Sequence, residues 1–179
     1  GVGLESNGEY MDIEVNSLLS CRDITDRLNA VSVYGIEIVS TKILPGSVGN
    51  AMASVAAASY TVRFREGREP DIDMEKALPA FLAKDSILIT KATKKGSREL
   101  DLRPGIYEMS WDGNAFSMLV NASSAGNIKP VQIIEALLAE HGETLQENAL
   151  LVTREDMYTD ISPEEEAHQF VSLGDIGDD

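Results

Sequence analysis

Hydrophobic and polar positions alternate most cleanly in "EYMDIEV", where Met11, Ile13 and Val15 face one way and Tyr10, Asp12 and Glu14 the other. A period of two predicts a half-buried strand. The period changes in residues 20–31, where Ile24, Leu28 and Val31 recur at helical spacing behind Ser20, a residue type that caps helix starts. Gly35 breaks the chain, and "IEIVSTKI" predicts a second strand over 36–43. The opening unit is thus strand, helix, strand. Residues 46–58, "GSVGNAMASVAAA", form a small-residue connector with a short helix from Val48.

From residue 59 the pattern is richer. "YTVRFR" sets Tyr60, Val62 and Phe64 against Thr61, Arg63 and Arg65, and Asp73 caps a helix running to about Lys84, interrupted by Pro79. "SILIT" predicts a strand over about 86–92, and "KKGS" is a hairpin turn. "IYEMSW" and "AFSMLVNA" flank an Asp-Gly that closes a second hairpin. Pro130 and Gly142 bracket a helix with Val131, Ile134 and Leu138 on one face, and "ALLVTREDMY" closes as a strand. With the basic hairpin arm set aside, the order is βαββαβ, the split βαβ or ferredoxin-like plan. The expected fold is therefore α+β: tandem ferredoxin-like units with antiparallel sheets and helices on one face. Residues 1–45 are expected to be the second half of a unit truncated at its N-terminus. Residues 59–158 are expected to be a complete unit with an extra hairpin, and 159–179 an acidic flexible tail.

Composition changes this picture little. Of 179 residues, 43% are apolar and 25% charged, as in ordinary soluble domains, and the length suits one large domain or two small ones. No apolar run approaches the roughly 18 residues of a membrane span, and no signal peptide is legible. The single Cys21 allows no internal disulfide and fits a cytoplasmic setting. Charge is more informative. The net charge of −15 argues against non-specific nucleic-acid binding, which rests on phosphate neutralisation. It is unevenly spread: Glu135 to Asp179 holds thirteen acids and one base, whereas residues 84–103 hold six bases and three acids.

That basic knot is the first candidate binding site. Lys91, Lys94 and Lys95 lie on or near a hairpin, with Arg98 and Arg103 on the return arm and Asp101 placed to pair with Arg103. Two readings stand: lysines that keep an exposed tip solvated, or one contiguous positive surface that docks RNA or an acidic partner. Recognition in the manner of an RNA-recognition motif is disfavoured, since the sheet positions Ser117, Leu119 and Asn121 offer no stacking rings. The second candidate is "SSAGNIKP", a glycine-containing loop entering a helix. Ser123, Ser124, Gly126, Asn127 and Lys129 there either take an anion on free N–H groups or simply build a cap and a tight turn. No Gly-Lys-Ser/Thr signature makes it a P-loop. Cys21, beside Arg22 at a helix start, is either a thiol of lowered pKa or an ordinary cysteine. His141 falls at a helix end and His168 in the acidic tail. No metal-ligand set, nucleophile motif or complete catalytic set is legible, and no cofactor is implied.

Five stretches, "GVGLESNGEYMDIEV", "ITDRLNA", "LPGSVGNAMASVAAASYTV", "ELDLRPGI" and "SAGNIKPVQIIEALL", together resemble the bacterial radical SAM-linked domain of unknown function. That family is found next to, or fused with, radical SAM proteins. The resemblance implies a chain lacking the family's N-terminal segment, which carries a histidine-containing helix. It also implies a radical SAM protein as partner. A single cysteine cannot hold that enzyme's iron–sulfur cluster, so the expected role is accessory: presenting substrate or docking the enzyme. The alternative is an RNA-binding or RNA-processing protein, because tandem ferredoxin-like units also build such enzymes. Oligomeric state is not legible.

Overall fold

Residues 3–16, 18–46, 49–93, 96–163 and 166–178 are described by the structure, a computed structural model. Along β2 (Ala57–Phe64) the buried Ala58, Tyr60 and Val62 alternate with Ser59, Thr61 and Arg63. The same rhythm in β6 (Phe116–Asn121) buries Phe116, Met118 and Val120 and turns Ser117, Leu119 and Asn121 the other way. These strands pair in antiparallel register, Tyr60 opposite Met118. β5 (Ile106–Trp111) lies beyond β6, and β7 (Leu150–Asp160) lies on the other side of β2. The order β7-β2-β6-β5 is antiparallel throughout. The Asp112-Gly113 turn between β5 and β6 forms as the sequence predicts: Gly113 has φ +94°, and the Asp112 carboxylate accepts the N–H groups of Asn114 and Ala115.

Two helices cover the apolar side of this sheet. Helix α3 (Met74–Leu82) buries Met74, Ala77, Leu78 and Phe81, and α4 (Pro130–Glu140) buries Pro130, Ile133, Ile134, Leu137 and Leu138. All but Pro130 join one core with Val62, Phe116, Met118 and Val120. Each fully buried Leu, Ile or Phe contributes about 1.5–3 kcal/mol, so this layer carries most of the stability. Asp73 caps α3 at the N–H of Lys76. Pro79, expected to interrupt α3, lies inside it on the exposed side, and the helix runs on to Leu82. Its ring removes a single N–H from the ladder, and the buried face is continuous across it.

β3 (Leu88–Thr93) and β4 (Gly96–Asp101) form a separate two-stranded arm between α3 and β5. The fold is thus α+β and mostly antiparallel.

The first 45 residues depart from expectation. Helix α1 (Cys21–Val31) is in place, with Ser20 and Asp23 in a reciprocal capping box. The alternating stretches that flank it, 10–15 and 36–43, are not strands; only an isolated bridge from Ile43 to Asp178 forms. Alternation marks a face but does not supply a ladder, and no neighbouring strand among the described residues offers these stretches its N–H and C=O groups. Among the described residues of 1–45 no second sheet forms. Instead β1 (Leu4–Ser6) joins the common sheet, parallel to β7, with Leu4 opposite Val152. In the connector the short helix is α2 (Ala51–Ser54), capped by Asn50.

The acidic end also differs from the flexible tail expected over 159–179. β8 (Phe170–Ser172) pairs antiparallel with the end of β7, and Leu173 is buried. The aromatic and aliphatic residues of "FVSL" find cover on the sheet, which outweighs the charge of the residues around them.

Candidate functional site

Two of the motif stretches converge at the end of the sheet where β5 begins and β6 ends. In "ELDLRPGI" the Asp101 carboxylate accepts the N–H groups of Ile87 at 2.8 Å and Arg103 at 3.0 Å. The hydrogen bond from Ile87, opposed by desolvation, holds its carboxyl below the usual range. Leu102, fully buried, donates its N–H to the Ile87 carbonyl. The Arg103 guanidinium donates to the carbonyls of Leu82 at 3.0 Å and Ile106 at 3.2 Å, closing the end of α3.

In "SSAGNIKP" the Asn121 side-chain oxygen accepts from the Ser123 N–H and hydroxyl, and the Asn121 carbonyl accepts the Ile128 N–H. The stretches meet at glycine. A Cβ on Gly105 would lie 2.2 Å from Ile128 Cδ1 and 3.3 Å from Asn121 Cβ. Gly105→Ala is expected to push Ile128 out of its buried seat and destabilise by about 1–3 kcal/mol, the usual range for overpacking. Urea unfolding measures it.

The candidate residues divide. Lys91 and Arg98 face each other across the β3–β4 arm, both exposed. Lys94 and Lys95 lie outside the described residues. Arg103 does not join that surface, because its guanidinium is bound to backbone carbonyls; nor does it pair with Asp101, which takes the Arg103 N–H instead. Of the expected five-residue surface, the described residues bring together Lys91 and Arg98. In the second loop Ser124, Asn127 and Lys129 are exposed, and three of its N–H groups are bonded within the chain: Gly126 donates to Ser123, Ile128 to Asn121, and Lys129 to Gln132. The geometry is that of a cap and turn. Cys21 is half-buried at the start of α1.

A side-chain cluster that sequence reasoning missed is attached to the same Asn121. Tyr107 sits in a β-bulge between Ile106 and Glu108, and its hydroxyl bonds the Asn121 side chain. Its ring lies 4.9 Å from those of His168 and Phe170, which stack on each other at 5.2 Å. His168 Nδ1 meets Asp160 Oδ2 at 2.6 Å. Asp160 also accepts from the hydroxyl and N–H of Ser162 and from the N–H of Gln169. Burial pushes its carboxyl up, but these hydrogen bonds outweigh it and hold the group far below the carboxylate range. Burial and the Asp160 charge raise the Tyr107 phenol. The legible signal was "DIS", an Asp two residues before a Ser that its side chain can bond. The bulge left no trace in the alternation.

A different feature occupies residues 11–52. Leu18 and Tyr34 are as exposed as in an extended chain, at 106% and 107%, and Met11, Val31, Val39 and Met52 are 71–88% exposed. Helix α1 buries no residue at all. Monomers scatter single exposed apolar residues; a run of this density is the kind of patch that interaction sites expose.

Two clefts lie elsewhere. One of about 380 Å³ is lined by Asp71, Asp73, Lys76, His141 and Glu143, and one of about 120 Å³ by Phe64, Arg68, Leu138 and Gln146 among others. Among the described residues no group of His, Cys, Asp and Glu is arranged to hold a metal ion, and no helix is long and apolar enough to cross a membrane.

Comparison with known proteins gives one match, over residues 1–130, to a family described as "Uncharacterized protein conserved in bacteria (DUF2344)". No curated protein and no solved structure matches the chain.

Proposed function

This chain belongs to the bacterial DUF2344 family, and from that premise we propose that it is an accessory domain that docks a radical SAM enzyme and helps present its substrate. The observation that carries the reading is the exposed apolar run of residues 11–52. Residues 10–15 and 36–43 alternate as strands do yet have no ladder, so each offers a row of apolar side chains together with backbone groups, apart from the N–H of Ile36, bonded to Val33, and the groups of Ile38 and Ile43, bonded to the Asn29 side chain and to Asp178. An extended segment of the enzyme added beside them satisfies both at once, the mode known as strand addition. On this reading residues 9–43 are half of a second ferredoxin-like unit, completed only in the complex. The partner surface is apolar with a rim of mixed charge, since Asp12, Glu14, Asp26 and Glu37 as well as Arg22 and Arg27 border the exposed apolar side chains. The radical SAM identity of the partner rests on the resemblance of the motif stretches.

The test is titration of the purified chain with a radical SAM protein from the same genome. The double variant Ile13→Glu/Val39→Glu is expected to bind at least about 100-fold more weakly, because both charges are buried by the partner. Its melting temperature should hold, since Ile13 is 42% and Val39 80% exposed. Equal binding by the variant removes the docking face. Self-association of the parent makes the occupant a second copy. Capture of RNA, lost in Lys91→Glu/Arg98→Glu, replaces the reading with an RNA-binding one.

A further inference from the structure

The ring cluster at the sheet end is independent of the docking face, and neither the motif stretches nor the proposed function accounts for it. Three aromatic side chains from separate parts of the chain meet there: Tyr107 from the β5 bulge, and His168 and Phe170 from the acidic end. Tyr107 and Phe170 are half-buried and the His168 side chain is 54% exposed, so the rings stop at solvent rather than closing into the core. Asp160 and Asn121 hold the histidine and the tyrosine in place at that border, and fixed rings lose little freedom when a ligand lands on them.

Charge selects the ligand. The carboxylate of Asp160 lies against the cluster, Glu108 follows Tyr107 in the bulge, and Glu166 is exposed in the loop that carries His168. From Glu155 to Asp179 the sequence holds no Lys or Arg. A phosphate-bearing ligand would be repelled. A cation is drawn both to the carboxylates and to the ring faces. Of the common biological cations the guanidinium is flat, stacks on aromatic faces and is weakly hydrated, whereas an ammonium is compact and holds its water. We infer that the Tyr107–His168–Phe170 step is a binding site for a guanidinium group, an arginine side chain or a small arginine-like molecule. No covalent step is involved: the rings take the flat face and the neighbouring carboxylates balance the charge.

The test uses the full chain and follows the ring resonances of Tyr107, His168 and Phe170 by NMR while N-acetyl-arginine amide is added. Saturable shifts at these rings in the millimolar range are expected. N-acetyl-citrulline amide, equally flat but uncharged, should give at least tenfold weaker binding, and N-acetyl-lysine amide an intermediate result. Glu108→Lys, an exposed change outside the ring contacts, should weaken the arginine ligand about tenfold while leaving the amide fingerprint of the core in place. Tyr107→Leu should abolish binding, and if it disturbs β8 the Glu108→Lys result still decides. A single arginine within a Gly-Ser peptide separates the sources: tighter binding than the free amide supports a protein arginine, and equal binding supports a small molecule. Citrulline binding as well as arginine, shifts spread over the whole acidic surface, or an unaffected Glu108→Lys chain would each overturn the assignment.

Discussion

Replacing Leu102 with alanine should lower the stability of the chain by about 2–5 kcal/mol, the range for emptying a fully buried leucine site. Leu102 is 0% exposed and joins the core with Ile87, Ile106 and Phe81. Its neighbours leave the site little freedom to collapse, which places the effect toward the upper end. Asp101 fixes the Ile87 and Arg103 N–H groups on one side, and the Arg103 guanidinium ties Leu82 and Ile106 on the other. The cavity is therefore held open by a backbone already bonded on both flanks. A chain of this size loses about 2–4 °C of Tm per kcal/mol, so calorimetry should show a fall of at least several degrees. Leu88→Ala, where the side chain is 57% exposed, is the control and should shift Tm little. Equal effects at both positions would mean that the arm, rather than the core, governs unfolding.

Asp160→Ala should release the acidic end from the sheet without unfolding the core. Four groups lose their acceptor at once: the Ser162 N–H and hydroxyl, the Gln169 N–H and His168 Nδ1. Hydrogen bonds to a charged acceptor contribute about 1.5–3 kcal/mol each and do not add. Losing even one of them should speed amide exchange in 166–172 by at least about tenfold, while β2 and β6 keep their protection. The pH dependence has a definite direction. The Asp160 carboxyl is held below its unfolded value of 3.8, so its contribution is fully present above that value. It is lost as pH falls through the folded pKa. The wild-type end should therefore stay attached at neutral pH and open only in strong acid. In Asp160→Ala it should be open at every pH, which the same exchange measurement reads.

Helices α3 and α4 and the central strands were legible because each carries one period against one core, and α1 because its spacing and cap are helical although it buries nothing. α1 announced itself through Ser20 and the spacing of Ile24 and Leu28, α4 through Pro130 and Gly142, and β2 and β6 through clean alternation. Residues 10–15 show the limit of that reasoning. Alternation states which side chains share a face and is silent on whether a neighbouring strand exists, and the exposed Met11 and Ile13 are the result. The acidic end failed for the opposite reason. Counting its carboxylates hid three apolar residues, Phe170, Val171 and Leu173, whose side chains suffice to seat β8.

The ring site was beyond reach because it depends on a bulge at Tyr107 and on a contact between residues about sixty positions apart. The basic knot was read too broadly for a local reason. A guanidinium one residue from a proline turn has backbone carbonyls within reach, and Arg103 binds two of them.

β7 has a consequence for the order in which this protein can be made. It pairs with β2 on one edge and with β1 and β8 on the other, so Leu4 waits for Val152 before its strand exists. At a synthesis rate of about 5–20 residues per second, that wait lasts on the order of 7–30 seconds on the ribosome. β2, β5 and β6 can assemble under α3 in the meantime, with the edge of β2 uncovered and Ala57 to Phe64 open to the wrong partner. Pairings so distant along the chain also fold slowly once it is free, because the closing loop must be ordered before any contact rewards it. A chaperone that holds the nascent β2 edge should therefore raise the folded yield more than one that acts after release.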